Sequence, residues 1–154
     1  MKTKYNILAI FIILAFSSFT LAQTSLPKAE EMMQKFEYVK AIEMYQNHFN
    51  TNSPNNTDIR NMAFCYIQIN DTKNAERWLS RLIKSGQANA EDMIIYADLL
   101  KSEGKYQDAI LQYEIIKESY PTKSKLADDN IQICQDVIEW TEAELDFIVK
   151  NEKK

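Results

Sequence analysis

The stretch that decides the fold is YQDAILQY at positions 106–113, because a matching stretch, YVKAIEMY, stands at positions 38–45. Both stretches begin and end with tyrosine and carry alanine in the fourth place. Midway between them, TKNAERWL at positions 72–79 keeps that alanine. Ala41, Ala75 and Ala109 are therefore evenly spaced. A fixed period of about 34 residues predicts a stack of helical hairpins.

The unit at about 90–123 is the most complete of the three. Ala97 and Ala109 are small where the two helices of a hairpin must cross closely. Gly104 suits a helix end that needs a left-handed residue. Pro121 stops the second helix, because proline has no amide hydrogen and clashes with the preceding turn. These residues predict a hairpin that turns near Gly104.

On these residues the chain resembles the tetratricopeptide repeat (TPR) family, whose units have the same length. The unit at about 56–89 matches the family with Ala63 and Ala75. It has Asn70 in place of the turn glycine, which is tolerable because asparagine enters the left-handed region readily. The unit at about 22–55 matches less closely, and its first helix is predicted to begin with Ser25 as N-cap.

The resemblance implies an all-α TPR solenoid at 23–141. It would consist of three helical hairpins followed by a capping helix at 124–141. The hairpins are expected at about 25–52, 58–84 and 91–119.

The first 22 residues predict a secretory signal peptide. Two lysines precede an apolar run at positions 7–16, and small residues lead to Ala22. The run is too short for a stable membrane span, which needs about 20 apolar residues. We therefore expect cleavage before Gln23 and a mature protein in the periplasm, in association with the outer membrane as a further alternative. A retained anchor is the competing interpretation.

The end of the chain is ambiguous. In the tail, 142–154, Leu145, Phe147 and Val149 alternate with Asp146, Ile148 and Lys150, which favours a short strand. The alternatives are a frayed extension of the capping helix and the opening of a further domain. The capping helix also carries a second apolar stripe that includes Ile133 and Trp140, although the end of a solenoid should be polar on its outer face.

The charge balance disfavours two classes of partner. The formal net charge is −4, and it becomes −6 without the two lysines of the signal peptide. Nucleic acids and anionic lipids both attract a positive field, so neither is expected as a partner. Cys65 and Cys134 lie more than two units apart, and a solenoid contacts mainly its neighbours. Two buried free thiols are therefore expected in preference to a disulfide.

A catalytic site is not expected. His48 is the single histidine, and it has no second histidine or nearby cysteine to form a metal site or a catalytic pair. Two glycines leave no phosphate-binding loop. We therefore predict no cofactor, no metal, no small-molecule substrate and no enzymatic activity.

The resemblance instead implies a protein or peptide ligand, because the first helix of each TPR unit lines a concave groove. By register, this groove comprises Arg60, Phe64, Ile67, Gln68, Ile94, Asp98, Lys101, Asp128 and Gln132, and it continues into the first unit with Glu30, Met33 and Gln34. Phe64 and Ile67 would then be apolar surface available to a partner. The alternative is that they pack against the next hairpin.

A narrower resemblance is to the N-terminal TPR module of OmpA-like, PorE-like envelope proteins. It rests on Phe36, Tyr38 and Ala41 in the first unit and on Cys134 and Trp140 in the last helix. It implies a scaffold of the bacterial cell envelope. The alternative is the N-terminal part of a larger protein, which would reach peptidoglycan only through a domain that this sequence lacks.

Overall fold

The computed structural model describes residues 26–152, and over that range all regular secondary structure is helical, which confirms the predicted all-α class. Its elements are α1 (Pro27–Gln34), α2 (Tyr38–Phe49), α3 (Asn56–Gln68), α4 (Thr72–Lys84), α5 (Ala90–Ser102), α6 (Tyr106–Ser119), a 3-10 turn (Pro121–Lys123) and α7 (Ser124–Glu152). Each helix packs mainly on the helices next to it in the chain. The six shorter helices therefore form three successive hairpins, and α7 closes the stack against α6.

The turn inside each hairpin repeats the same backbone conformation. Phe36, Asn70 and Gly104 occupy the same place in successive repeat units, and all three are left-handed, with φ of 60°, 58° and 74°. Each is followed by an amide that bonds back across the helix end, for example Lys105 N to Leu100 O at 2.9 Å. This pattern closes a helix when the residue after it is left-handed. The period of the sequence repeat is thus present in the backbone itself.

The N-terminal caps of two helices, α3 and α5, also repeat. Asn55 caps α3 and Asn89 caps α5, and each accepts a bond from the amide three residues later, at 2.9 Å. The side chains of Asp58 and Asp92 return the bond to the asparagine amide, which completes a capping box at both sites. The first helix differs, because Leu26 is its N-cap and makes no side-chain bond. The prediction of Ser25 as N-cap was wrong, and Ser25 lies outside the described residues.

The core is built around the repeating alanines. Ala41, Ala75, Ala97 and Ala109 are fully buried, and Ala63 is 1% exposed. They allow adjacent helices to approach closely, and larger buried side chains fill the rest of the core, among them Tyr45, Met62, Leu79 and Tyr113. The buried residues form two clusters, one centred on α1–α4 and one on α5–α7.

The tail is helical, and the strand prediction for residues 145–149 was wrong. The last helix does not end near residue 141; α7 continues without interruption to Glu152. Trp140, Leu145 and Phe147 are all exposed along it. Alternation over so short a segment is also compatible with a helix that is apolar on more than one face. The helix α7 is of this kind.

The predicted signal peptide, 1–22, lies outside the described residues. Among residues 26–152, none of the helices combines the length and the apolarity that crossing a bilayer requires.

Candidate functional site

An apolar cleft of about 390 Å³ opens between the first helices of the three hairpins. We call it the cleft; its lining residues are Met33, Arg60, Asn61, Ala63, Phe64, Ile67, Leu79, Asp92 and Ile95. Met33 comes from α1 and Leu79 from α4, whereas α3 and α5 supply the remaining residues. Phe64 is 44% exposed and Ile95 is 39% exposed. Large apolar side chains in a concave site are the usual anchor points for a ligand.

An ion pair bridges one end of the cleft. Arg60 on α3 donates from Nε and Nη2 to both carboxylate oxygens of Asp92 on α5, at 2.8, 2.9 and 3.0 Å. Its Nη2 also donates to the carbonyl of Gln87, at 3.1 Å. The hydrogen bond to Asp92 raises the pKa of Arg60 further above its usual value. Because the guanidinium is matched by a carboxylate, the cleft presents little net charge to a ligand.

The junction between the first and second hairpins has the equivalent carboxylate but not the arginine. Asp58 is 2% exposed and caps α3 as Asp92 caps α5. The residue equivalent to Arg60 at that junction is Leu26 of the first unit. Asp58 Oδ1 accordingly has no hydrogen-bond partner among the described residues. The Arg60–Asp92 pair is therefore specific to the junction where the cleft lies.

A second polar group fixes the side of the cleft near α1. Asn61 donates to the hydroxyl of Tyr45 at 2.8 Å and to Glu30 at 3.3 Å. Burial of the Tyr45 phenol raises its pKa to about 12, although the bond from Asn61 acts in the opposite direction. Tyr45 is a fully buried residue of α2, so this bond holds α3 at a defined rotation against the first hairpin.

Aromatic rings extend the apolar surface from the cleft toward the first turn. The ring of Phe64 meets Tyr38 edge-on at 5.9 Å between centroids, and Tyr38 meets Phe36 edge-on at 6.3 Å. Phe36 is 78% exposed at the left-handed position of the α1–α2 turn. The accessible apolar surface thus runs continuously from Ile95 through Phe64 to Phe36.

Three of the predicted groove residues lie in the cleft, namely Arg60, Phe64 and Ile67. Met33 of the first unit also lines it. Gln68 is exposed on α3 but does not line the cleft. Phe64 keeps an exposed face, whereas Ile67 is half-buried and packs against the first core cluster.

Ile94 was wrongly placed in the groove. It is only 8% exposed and belongs to the second core cluster. The exposed residue is its neighbour Ile95. One residue along a helix turns the side chain by about 100°, so a register carried over from Arg60 by one repeat length selected the wrong side of α5.

The remaining predicted groove residues bond to one another, to neighbouring helices or, in the case of Gln132, within their own helix. Asp98 accepts from the buried Tyr113 hydroxyl at 2.6 Å and pairs with Lys101 at 2.9 Å. Lys101 also donates to Asn130 on α7. Asp128 pairs with Lys117 of α6 at 2.6 Å, and Gln132 donates to Asp136 at 2.7 Å on the same helix. Asp98, Lys101 and Asp128 therefore fasten α5, α6 and α7 together, whereas Gln132 bonds within α7, and none of the four lines the cleft.

Sequence reasoning missed Asp92 and Ile95 as residues of the site. A signal for Asp92 was present, because Asn89 and Asp92 repeat the Asn55–Asp58 spacing that begins the previous unit. No comparable signal marks Ile95, since α5 has two consecutive isoleucines and their sequence does not say which one is buried.

The cysteines and the histidine lie away from the cleft. Cys65 and Cys134 are free and buried, as predicted, and burial raises the pKa of the Cys65 thiol to about 11. His48 is half-buried near the end of α2, where its ring nitrogen lies 3.4 Å from the Asn52 amide. Within the described part of the chain, no three histidine, cysteine or acidic side chains are grouped as they would be to hold a metal ion.

Comparison with protein families finds no matching family model, and comparison with curated proteins finds no match.

Proposed function

We propose that this chain is a TPR scaffold of the bacterial cell envelope, and that it binds a protein or peptide partner in the cleft without catalysing a reaction. The observation that carries the proposal is the combination of Phe64 and Ile95, two exposed apolar side chains, over a cleft of about 390 Å³. A volume of this size accommodates one or two side chains of a partner segment.

The TPR assignment is supported by the backbone period. Left-handed residues recur at positions 36, 70 and 104, and helix-capping asparagine–aspartate pairs recur at the starts of α3 and α5. Repeat arrays of this kind act through extended concave surfaces formed by equivalent helices. The envelope assignment rests on the basic and apolar start of the sequence.

The cleft favours an apolar anchor over a charged one. Among the described residues, Arg60 is the one cationic side chain that lines it, and Asp92 already accepts three hydrogen bonds from that guanidinium. A carboxylate ligand would have to compete with Asp92, which is nearly fully buried and cannot regain solvent. The cleft offers instead an apolar wall formed by Met33, Phe64, Ile67 and Ile95. A leucine, methionine or aromatic side chain of the partner would displace water from this wall.

Site-specific photo-crosslinking in the native host tests this proposal. A photoreactive phenylalanine analogue at Ile95 should capture a defined partner protein. The same analogue at Leu111, which is 61% exposed on α6 outside the cleft, should not. Adding Phe64→Ser should abolish the crosslink from position 95, whereas Leu111→Ser should leave it intact. Equal capture from both positions, or a crosslink from position 95 that survives Phe64→Ser, would place the binding surface elsewhere.

Arg60 is left unchanged in this experiment. Its substitution would leave Asp92 buried without a cation and would perturb the fold together with the cleft.

A further inference from the structure

The α1 side of the cleft carries a carboxylate that has no cationic partner among the described residues. Glu30 on α1 accepts a hydrogen bond from the side-chain amide of Asn61 at 3.3 Å, and Asn61 lines the cleft. Met33, one turn after Glu30 on the same helix, lines the cleft as well. Glu30 is half-buried at this edge of the cleft, and only one of its two oxygens is used by the neutral Asn61.

A second carboxylate without a cation lies in the same region. Asp58 on α3 is 2% exposed, and its Oδ1 has no hydrogen-bond partner within residues 26–152. Burial is the main cause of the raised pKa of Tyr45, and the charges of Glu30 and Asp58 add to it. Both carboxylates therefore lie close enough to the Tyr45 phenol to act on it.

The next junction along the stack differs, because there the chain supplies the cation itself. Arg60 donates three hydrogen bonds to Asp92 and one to the carbonyl of Gln87, so its charge is already matched. A charge inside a protein is screened less than a charge in water, so the charge of Asp58 persists at the nearby surface. The cleft is therefore neutral on its α5 side and negative on its α1 side.

The lysines of α1 do not change this balance. Lys35 pairs with Glu31 on its own helix. Lys28 is exposed and stands two residues before Glu30. Since each residue of a helix turns the side chain by about 100°, Lys28 and Glu30 point to different sides of α1. A cation that reaches Glu30 from the cleft must therefore come from the partner.

The distance between the apolar and the acidic parts of this surface is set by the repeat. Glu30 and Phe64 occupy equivalent positions in successive units, on the adjacent helices α1 and α3. Packed helices lie about 8–10 Å apart. An extended segment advances about 3.3 Å per residue. A segment that places one side chain on Phe64 thus presents another to Glu30 about three residues away.

We propose that the partner segment is basic as well as apolar, with a leucine, methionine or aromatic side chain in the cleft and a lysine or arginine within about three residues of it paired with Glu30. The charge assigned to the partner rests on the proposed function, since it describes the segment that the cleft binds. The second oxygen of Glu30 accepts the charge-assisted hydrogen bond. Asp58 is too deeply buried to touch the partner and adds only its field.

Selection of random peptides displayed on phage against the purified protein tests this composition. Enriched peptides should carry a large apolar residue with a lysine or arginine within about three positions of it. Selection against Glu30→Gln should keep the apolar preference and lose the basic one, because glutamine has the same shape and still accepts from Asn61. The matched control, Glu43→Gln, removes an exposed carboxylate from α2 and should leave both preferences unchanged.

Fluorescence anisotropy with the most enriched peptide measures the effect of the charge. Glu30→Gln should weaken binding by roughly three- to tenfold and make it less sensitive to salt. Replacing the peptide's basic residue by glutamate should weaken binding to the unmodified protein, and Glu30→Lys should restore it. Phe64→Ser should abolish binding of every enriched peptide, and circular dichroism verifies that each variant keeps its helices.

The possible results separate this proposal from the function on which it rests. Enriched peptides that need Phe64 but show no basic preference overturn the proposed charge of the partner and leave the cleft as the binding site. A basic preference that survives Glu30→Gln overturns the role of Glu30. Enrichment that is insensitive to Phe64→Ser, or no enrichment at all, contradicts binding in the cleft and with it both proposals.

Discussion

Asp92 bonds in two directions from one side chain. It accepts three hydrogen bonds from Arg60 on α3. It also accepts one, at 2.9 Å, from the backbone amide of Asn89, the residue that caps α5. The carboxylate that completes the capping box of α5 therefore also links α5 to α3. The cleft lies between these two helices, so this contact bridges its two walls.

Replacing Arg60 by methionine should destabilise the protein by about 1–3 kcal/mol, because Asp92 would remain buried without its cation. The cost stays below that of a fully buried pair because the Arg60 side chain is 34% exposed. Urea denaturation followed by circular dichroism measures the difference. The control is Lys35→Met, which breaks an exposed pair with Glu31 and should leave the transition unchanged. Equal transitions for both variants would contradict the role given to Arg60.

Replacing Ala109 by leucine should cost about 1–3 kcal/mol of stability, because the extra methylenes have no space where α6 crosses its neighbours. Ala109 is fully buried, in contrast to Ala143, which is exposed on α7. Ala143→Leu is therefore the matched control and should have little effect at low protein concentration. Thermal melts of the two variants give the comparison, and a melt of Ala109→Leu that matches that of the unmodified protein would exclude close packing at this crossing.

Replacing Phe36 by glycine should stabilise the protein, by up to about 1 kcal/mol. A left-handed conformation costs roughly 1–2 kcal/mol for a residue with a Cβ, and glycine removes that cost in exchange for greater freedom of the unfolded chain. The matched test in the opposite direction is Gly104→Ala, at a φ of 74°, which should destabilise by about 1 kcal/mol. A lower denaturation midpoint for Phe36→Gly as well as for Gly104→Ala would show that the edge contact of Phe36 with Tyr38 outweighs the backbone strain.

Stability should fall at alkaline pH because of buried tyrosines. Burial raises the pKa of Tyr45 to about 12, and burial together with a bond to Asp98 raises the pKa of Tyr113 as well. The unfolded phenol has a pKa of about 10, so the folded state binds more protons between these values. The contribution of each phenol is therefore complete below about pH 10 and is lost as the pH rises through the folded pKa.

Melting temperatures measured across the alkaline range, together with phenolate absorbance, test this expectation. Two tyrosines should ionise only as the helical signal disappears, and Tyr45→Phe should reduce the loss of stability per pH unit. Ionisation of every tyrosine at the pKa of a free phenol, in a chain that keeps its helices, would show that these phenols are accessible to solvent.

The parts of the fold that could be predicted are those in which geometry demands one residue type. Where two helices cross closely only a small side chain fits, and so the even spacing of Ala41, Ala75 and Ala109 was informative by itself. The left-handed turn at Gly104 was predictable for the same reason. At Phe36 the same backbone conformation is imposed by the helices on either side, against the preference of phenylalanine, and composition gives no sign of it.

The candidate site was predictable on α3 but not on α5. On α3, Arg60, Phe64 and Ile67 share one face of the helix, and the register of the repeat located that face. On α5 the choice between Ile94 and Ile95 depends on how far the helix is rotated against its neighbours, which is decided by tertiary contacts such as Arg60–Asp92. The prediction for the tail was wrong for another reason. Because α7 has apolar residues on several faces, local alternation could not distinguish a strand from a helix.

Helix α5 belongs to both halves of the interior. Leu99 packs with the residues of α1–α4, whereas Ala97 and Leu100 pack with those of α6 and α7. A chain cut after α4 would lose the cover that Leu99 provides, and a chain that began at α5 would expose Leu99 to water. The stack therefore cannot be divided between its second and third hairpins without damage to both pieces, and insertions or deletions at Gly86–Gln87 should be tolerated only when they leave the pairing of α4 with α5 intact.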